Sequence, residues 1–293
     1  MTHPVDHEDL LNKLTGGSSG APELMWSFKT DRIGAAGTQA THTASRPFST
    51  WLYVGQPAYG SAPGATARIP TRATAGALGQ ANPGAGKSKW LVAMHATGAR
   101  YGSTGGSLFV LYDRLADISG LSGNSASEQS FSGLAVTRYT GTEAAGNQII
   151  LEVYTAIGTA EVSVTAKYTN QAGTSGQVTR TSNSVRLGAA SGAWARNAGS
   201  AVFLPLAAGD TGVRSVESVT LASGTSTTGD FGVTIVRPIA YVQTGALGPG
   251  AMVQDFTTDG LVEVKTDACL FWVATHDQGS IQSIESALQF VDS

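Results

Sequence analysis

The chain has 293 residues, a formal net charge of −3 and only 13% Asp, Glu, Lys and Arg, against about 25% in an ordinary soluble domain. Its few basic residues are spread along the chain, which argues against a nucleic-acid-binding protein, because such proteins bind phosphates with clustered Lys and Arg. Small residues, among them 37 Gly, replace the missing charges. Such a composition is typical of a protein that packs closely against copies of itself or against a lattice.

The ends and the cysteine content indicate where the chain is made. Residues 1–8 lack the basic and apolar regions of a secretory signal, and no apolar run approaches the roughly 18 residues of a membrane span. The single cysteine, Cys269, lies in an apolar run and is interpreted as a buried small hydrophobic residue. We therefore expect a protein that is made in the cytoplasm, has no disulfide and does not bind a membrane.

The N-terminal arm is the one segment with a clear helical pattern. Residues 4–15 are predicted to form a helix whose leucine face consists of Leu10, Leu11 and Leu14, and the Gly/Ser run at 16–20 is predicted to form a hinge. A twelve-residue helix is marginal alone in water. The leucine face therefore needs a groove, either on its own chain or on another subunit, and the three leucines are candidate partner-binding residues.

After the hinge, apolar residues alternate with period two or form short runs between turn signals. The predicted strands are Met25–Lys29, Thr50–Val54, Lys89–Thr97, Ser107–Leu111, Gly133–Tyr139, Gln148–Ala156, Glu161–Thr169, Gln177–Thr181, Ala201–Leu204, Val216–Ala222, Phe231–Val236, Leu261–Val264 and Ala268–His276. So many strands without strand–helix alternation predict an all-β protein, an antiparallel β-sandwich of jelly-roll-like type. Its domains are a short N-terminal helical arm with its hinge, residues 1–20, and a β domain, residues 21–293, built as one unit or as two packed subdomains.

Three segments do not follow the strand pattern. Residues 61–88 and 115–130 contain few large apolar residues and are predicted to be long loops, which in other proteins often serve interfaces. The segment 280–290 is predicted to be a short helix, because Ile281, Ile284 and Leu288 lie at helical spacing.

Motifs that resemble catalytic signatures lack the structural context that their chemistry needs. Residues 81–88 resemble the end of a phosphate-binding loop, but a strand rather than a helix is predicted to follow. The triplet Asp113, Arg114 and Asp117 follows a predicted strand and is either an acid/base group or a salt bridge that pins the next loop, and we favour the salt bridge. We therefore expect no enzyme, no catalytic residue, no cofactor and no metal site.

The five tryptophans are candidates either for core residues or for an exposed contact with a partner. Trp26, Trp51, Trp90 and Trp272 lie in or beside predicted strands and are interpreted as core residues. Trp194 lies in a predicted loop and is the best candidate for an exposed contact with a glycan or a protein.

Three stretches, 111–121, 203–216 and 218–238, resemble structural proteins of tailed bacteriophages that are associated with the capsid, of the head decoration or cement kind. The resemblance covers roughly residues 25–275 and carries no catalytic motif. It implies a virion protein on the outer surface of the head, made in the bacterial host cytoplasm, with the phage major capsid protein and further copies of itself, such as a trimer, as partners. The alternative is a phage tail, fibre or baseplate component that binds host glycans. An enzyme such as a glycan hydrolase would need two carboxylates about 5–10 Å apart in a cleft.

Overall fold

The structure is a computed structural model that describes residues 22–34, 38–39, 45–99, 106–181, 186–188, 197–244, 252–255, 261–276 and 283–293. Across these ranges the protein is all-β, and each strand pair is antiparallel, as the sequence predicts. One short 3-10 helix, Gly141–Ala144, interrupts the strands of the described part. The predicted helical arm, with Leu10, Leu11 and Leu14, and the predicted loop residue Trp194 lie outside the described residues.

The strands form three sheets. The seven-stranded sheet has the order β15 (Met252–Asp255), β5 (Lys89–Ala99), β18 (Ser283–Asp292), β1 (Glu23–Ile33) and β2 (Thr38–Gln39), with β16 (Val262–Val264) paired to β5 and β4 (Tyr53–Gln56) paired to β1. The six-stranded sheet has the order β12 (Ala201–Leu204), β8 (Gln148–Thr155), β14 (Asp230–Thr244), β6 (Ser107–Leu121), β17 (Leu270–His276) and β3 (Pro47–Ser49). The five-stranded sheet has the order β10 (Gln177–Val178), β9 (Val162–Asn170), β13 (Val213–Leu221) and β7 (Gln129–Ser130), with β11 (Arg186–Leu187) paired to β9.

One hydrophobic cluster joins all three sheets, with Phe290, Trp272 and Tyr168 as buried members from the seven-, six- and five-stranded sheets. Phe271 alternates with Trp272 along β17 and therefore points to the opposite face of the six-stranded sheet. There it meets the Trp51 ring edge-on, with the ring centroids 6.0 Å apart, in a second buried cluster. The six-stranded sheet is thus covered on both faces, which explains its continuous apolar runs.

The C-terminal segment is a correction to the sequence prediction, because residues 283–292 form strand β18 and not a helix. Ile284, Leu288 and Phe290 are buried on one face at a spacing of two or four residues, which also fits a strand. Ser286 occupies the fourth inward position and obscures the alternation in the sequence. Its hydroxyl oxygen accepts a hydrogen bond from Trp272 Nε1 at 3.0 Å, so this polar residue is satisfied inside the core.

Two other predictions were wrong around β6. Residues 115–121 continue β6 instead of starting a loop, so that this strand runs for 15 residues. The predicted strand Gly133–Tyr139 makes a single isolated bridge, Ala135 to Ser215. Its Leu134 and Val136 are buried and produce the period-two pattern, but Gly133 has φ of 78° and Tyr139 has φ of 49°, which breaks the extended backbone at both ends.

Strand β1 carries polar side chains on its buried face. Ser27, Lys29 and Asp31 are 5%, 1% and 7% exposed. Ser27 Oγ lies 2.5 Å from Ser286 Oγ on β18. Lys29 Nζ donates hydrogen bonds to the carbonyl oxygens of Pro57 at 2.6 Å and Ala58 at 3.1 Å. These partners hold the buried polar groups in place and so fix which face of β1 points inward.

The buried ammonium of Lys29 makes stability depend on pH. Burial lowers the pKa of Lys29 from 10.5 to about 8. Because the unfolded chain then binds more protons than the folded protein at pH values between these two pKa values, the free energy of unfolding rises with pH in this window. Relative to Lys29→Met, we expect the wild type to gain about 2 kcal/mol between pH 8 and pH 10 in urea unfolding. A difference between the two proteins that is flat or falls with pH would contradict this assignment.

Candidate functional site

The outward face of β1 carries three exposed apolar side chains. Leu24, Trp26 and Phe28 are 55%, 68% and 41% exposed. They occupy alternate positions and therefore point to the same side of the sheet. Together these side chains, here named the apolar stripe, expose roughly 400 Å², which is comparable to the largest apolar patch on a typical monomer.

The residues beside the apolar stripe keep this face flat. On β18, Gln289, Ala287 and Glu285 lie opposite Leu24, Trp26 and Phe28 in the antiparallel register. The next strand places Ala93, His95 and Thr97 in the same three rows of the sheet. Ala287, directly opposite Trp26, is small, so that the Trp26 ring stands above this neighbour.

Among the described strands, the edge of β1 is also unpaired beside the stripe. Along Glu23–Ser27, β1 pairs with β18 on one side, and no other described strand pairs with this stretch. An unpaired strand edge offers backbone N–H and C=O groups to a partner chain. The apolar stripe and the open edge therefore form one candidate interaction surface.

The orientation of β1 departs from the usual pattern, because Leu24, Trp26 and Phe28 face outward. The inward face carries the polar Ser27, Lys29 and Asp31 beside Met25 and Ile33. The prediction that Trp26 is a core residue is therefore wrong, whereas Trp51, Trp90 and Trp272 are buried as predicted. Sequence reasoning missed the stripe because Met25 interrupts the alternation, so that neither face of β1 is clearly the apolar one.

A second feature is a group of ionisable side chains inside the protein, here named the ion-pair cluster. Its members are Arg68, Asp113, Arg114, Asp117, Arg138 and Glu152. Arg114 lies at its centre and is completely buried. Its Nε lies 2.5 Å from Asp117 Oδ2 and its Nη1 lies 2.6 Å from Glu152 Oε2, while Nη2 donates to the Tyr154 hydroxyl at 2.6 Å. The guanidinium carbon of Arg114 also lies 4.4 Å from the centroid of the Trp51 ring.

The other two arginines hold loops against β6. Arg138 binds both carboxylate oxygens of Asp113, at 2.9 and 2.8 Å. Arg68 binds both oxygens of Asp117, at 2.6 and 3.1 Å. Arg68 belongs to the long segment 61–88 and Arg138 to the segment 133–139. The cluster therefore fastens both segments to the central strand of the six-stranded sheet.

The protonation states in the cluster match a structural role. Burial disfavours the charge of Arg114, but Glu152, Tyr154 and Asp117 raise the pKa of Arg114 above its already high value. Burial raises the pKa of Asp113, against the lowering effect of Arg138. Burial also raises the pKa of the neighbouring Cys269 thiol far above its ordinary value, which keeps this buried cysteine protonated and unreactive at neutral pH.

The sequence interpretation of Asp113, Arg114 and Asp117 as a salt bridge agrees with these contacts. Two details differ from the prediction. The triplet lies in the middle of β6 and not at the end of a strand. It fastens the segments of Arg68 and Arg138 and not the residues that follow it.

A third feature is an open cavity of about 870 Å³ beside β12 and β8. Phe203 and Tyr112 line it, with ring centroids 5.9 Å apart. Arg180 and Asp210 line it as well. Arg180 uses Nε to donate to the carbonyl oxygen of Leu206 at 2.8 Å, and Asp210 accepts from the Tyr168 hydroxyl at 2.6 Å. The cavity thus combines aromatic surface with a guanidinium and a carboxylate.

The described part of the chain contains no group of three or more His, Cys, Asp or Glu side chains placed to hold a metal ion. Within the same ranges, no helix has the length and apolar character needed to cross a bilayer.

No family model matches the chain, and comparisons with curated proteins and with solved structures find no match either.

The ion-pair cluster leads to a stability prediction. Replacing Arg114 by Met leaves the buried Glu152 carboxylate without its cation, so we expect Arg114→Met to lower the free energy of unfolding by about 3–5 kcal/mol. The double variant Arg114→Met/Glu152→Leu removes both charges and should recover part of this loss. Chemical denaturation of the three proteins gives the comparison.

A matched control is the exposed pair of Lys167 and Glu128, whose charged atoms lie 2.8 Å apart with side chains 49% and 40% exposed. Because water screens this pair, Lys167→Met should leave the denaturation midpoint close to that of the wild type. If Arg114→Met destabilises the protein as little as Lys167→Met does, the ion-pair cluster does not hold the segments of Arg68 and Arg138 in place.

Proposed function

We propose that this protein is a non-enzymatic structural protein of a phage virion that decorates or cements the outer surface of the head. It would bind between subunits of the phage major capsid protein and stabilise the assembled shell. A protein that binds the assembled lattice more tightly than its separated subunits stabilises the lattice by mass action.

The observation that carries this proposal is the apolar stripe on a strand whose register is fixed. The stripe is comparable in size to the largest apolar patch on a typical monomer, and such patches often serve an interface. Trp is among the residue types that contribute most to protein–protein affinity, and Phe is enriched at interfaces. The exposed Leu24, Trp26 and Phe28 therefore support a protein partner for this face.

The rest of the surface supports a lattice-binding role. Ionisable residues are few, and six of them are used in the ion-pair cluster inside the protein. The remaining surface carries little charge to be desolvated when neighbouring subunits pack closely. The long segment 61–88 is fastened through Arg68, so this part of the surface is held in a defined shape.

We extend the proposal to architecture and oligomeric state. The packing of three antiparallel sheets on one cluster supports a sandwich, which we propose to be jelly-roll-like. A symmetric homo-oligomer such as a trimer would present several apolar stripes to one shell.

The direct test is co-sedimentation with capsids of the source phage that lack this protein. Trp26→Ser should weaken binding at least about 30-fold, because an exposed aromatic anchor contributes about 2 kcal/mol at the centre of an interface. Tyr241→Ser is the matched control, because Tyr241 is 55% exposed on β14, away from the stripe, and should bind like the wild type. If the wild type does not sediment with capsids, the decoration function is wrong. If Trp26→Ser binds like the wild type, the stripe is not the contact.

A second candidate function is a tail, fibre or baseplate component that binds host glycans, and the open cavity favours it. The Phe203 ring offers a face for a sugar ring, and the guanidinium of Arg180 offers donors for its hydroxyl groups.

Under this alternative, Arg180→Ala should reduce binding to host-surface glycans at least about tenfold, because it removes charged hydrogen-bond donors. Arg214→Ala is the control, since Arg214 also donates from Nε to a backbone carbonyl but does not line the cavity. Trp194→Ala in the same assay tests the sequence candidate. Absence of glycan binding by the wild type would exclude this alternative.

A further inference from the structure

We propose that the open cavity beside β12 and β8 binds an acidic sugar, with the sugar ring against Phe203 and the sugar carboxylate on the guanidinium of Arg180. This inference names the ligand class of the second candidate function, glycan binding, and rests on it. It does not depend on the decoration function, because the cavity and the apolar stripe are built from different strands.

The six-stranded sheet closes on itself. Its two outer strands, β12 and β3, meet where Phe48 and Ser200 form an antiparallel bridge. Beside this bridge, the backbone N–H of Ser49 donates to the carbonyl oxygen of Gly199 at 2.8 Å. On its other side, the carbonyl oxygen of Ser200 accepts from the backbone N–H of Val153 on β8 at 3.0 Å. The sheet is therefore a closed barrel, and one of its faces is the inner one.

The inner face is the one that carries Tyr112 and Phe203. Tyr112 belongs to β6 and Phe203 to β12, and two strands, β14 and β8, lie between these strands in the sheet. A flat sheet would separate the two residues by about 14 Å, because neighbouring strands lie about 4.8 Å apart. The ring centroids of Tyr112 and Phe203 are only 5.9 Å apart. The two side chains therefore meet across the interior of the barrel.

Further aromatic rings fill the barrel beyond this pair. The Phe271 ring centroid lies 6.2 Å from that of Tyr112, and the Trp51 ring centroid lies 6.0 Å from that of Phe271. Trp51 Nε1 donates to the carbonyl oxygen of Ser61 at 3.0 Å. The long segment 61–88 thus begins against the Trp51 end of this row of rings.

The open cavity lies at the other end of the row, where Phe203 and Tyr112 line it. Its volume of about 870 Å³ falls within the roughly 300–1,000 Å³ of small-molecule sites, which often lie in the mouths of β-barrels. Phe203 is partly exposed there and offers an apolar ring face. Because side chains fill the barrel below, a ligand would occupy the mouth and lie on this ring.

Arg180 is a preoriented cation at the mouth. Its backbone N–H donates to the carbonyl oxygen of Pro205 at 2.9 Å, and its Nε donates to that of Leu206 at 2.8 Å. Among the described residues, no carboxylate forms an ion pair with Arg180. The two Nη groups are left to donate to a ligand, and a carboxylate accepts one hydrogen bond from each of them.

The carboxylate that lines the cavity, Asp210, already has partners. Its Oδ2 accepts from the Tyr168 hydroxyl at 2.6 Å, and its Oδ1 accepts from Asn170 Nδ2 at 2.7 Å. The negative charge of Asp210 repels an acidic group, which places the carboxylate of the sugar on the Arg180 side of the cavity.

Gln148 adds a donor for the hydroxyl groups of the sugar. Its Oε1 accepts from the Tyr112 hydroxyl at 3.3 Å, and its side chain lines the cavity. This contact leaves the two N–H groups of Nε2 to donate to a ligand. The mouth thus combines a ring face, a neutral donor and an unpaired cation, which together suit a sugar that carries a carboxylate.

The test uses the full-length protein and saturation-transfer NMR titrations with the methyl glycosides of glucuronic acid, galacturonic acid and N-acetylneuraminic acid. The methyl ester of each acid is its neutral counterpart. We expect at least one acid to bind about tenfold more tightly than its ester, because the ester cannot accept two charged hydrogen bonds. Acetate, a carboxylate without a sugar ring, should bind more weakly than this acid.

Three variants assign the contacts. Arg180→Met removes the guanidinium, keeps a long side chain and should abolish the preference for the acid. Arg214→Met is the matched control and should keep the preference, since Arg214 also donates from Nε to a backbone carbonyl but does not line the cavity. Phe203→Leu should weaken binding of acid and ester alike, because both lose the ring face. The thermal unfolding midpoint shows that each variant is folded.

Each outcome decides the proposal. Equal binding of acid and ester by the wild type overturns it but leaves neutral glycans to the second candidate function. Acetate that binds as tightly as the acid overturns the sugar contact. Absence of binding by all three acids also overturns the proposal, as does a preference for the acid that persists in Arg180→Met. A preference that is lost in Arg180→Met and kept in Arg214→Met supports it.

Capsid co-sedimentation of Arg180→Met separates this proposal from the decoration function. If both hold, Arg180→Met binds shells like the wild type. If no protein binds shells but the preference for the acid is present, the sugar site stands and the decoration function fails. If Arg180→Met no longer binds shells, the cavity is a contact with the shell, and its assignment to a sugar is overturned.

Discussion

The pairing of β1 with β18 is the constraint on which the interaction surface depends. Eight residue pairs, from Glu23 with Phe290 to Thr30 with Ser283, set one antiparallel register. A shift by one residue would turn every side chain of β1 to the other face. The chain excludes that shift with polar contacts inside the core, where Ser27 meets Ser286 and Lys29 meets two backbone carbonyls. The outward position of Trp26 therefore follows from satisfied polar groups on the inward face.

Ionisable residues, like the polar residues of β1, also fix contacts inside the protein. A chain with few ionisable residues places six of them in the ion-pair cluster, where they join β6 and β8 to two loop segments. Buried ion pairs add little net stability to the folded protein, but removal of one partner is strongly destabilising. Such pairs therefore specify which segments of the chain contact each other. The rest of the described surface carries little charge, and β1 presents a row of exposed apolar side chains on it. This row suits a protein partner better than a small charged ligand.

Sequence patterns predicted the fold class and most strands, because period-two alternation is a direct consequence of strand geometry. Strand β9 is one example, predicted over Glu161–Thr169 and observed over Val162–Asn170. The sequence patterns failed where a polar residue occupies an inward position. Ser286 at an inward position made the sequence pattern of β18 resemble that of a helix. Ser27 and Lys29 at inward positions concealed which face of β1 is buried. Only the tertiary partners show that these polar side chains form hydrogen bonds inside the protein. The sequence pointed to Trp194 and the leucine face, which lie outside the described residues, and it missed Trp26.

The most direct measurement is hydroxyl-radical footprinting of the wild-type protein, free and bound to capsids, with oxidation of each side chain read by mass spectrometry. Side chains at a contact lose reactivity because solvent no longer reaches them. The account predicts that Trp26 and Phe28 react less on capsids, while Tyr241, which is 55% exposed on another sheet, keeps its reactivity. Unchanged reactivity of Trp26 and Phe28 on a shell that holds the protein would contradict the claim that the apolar stripe is the contact.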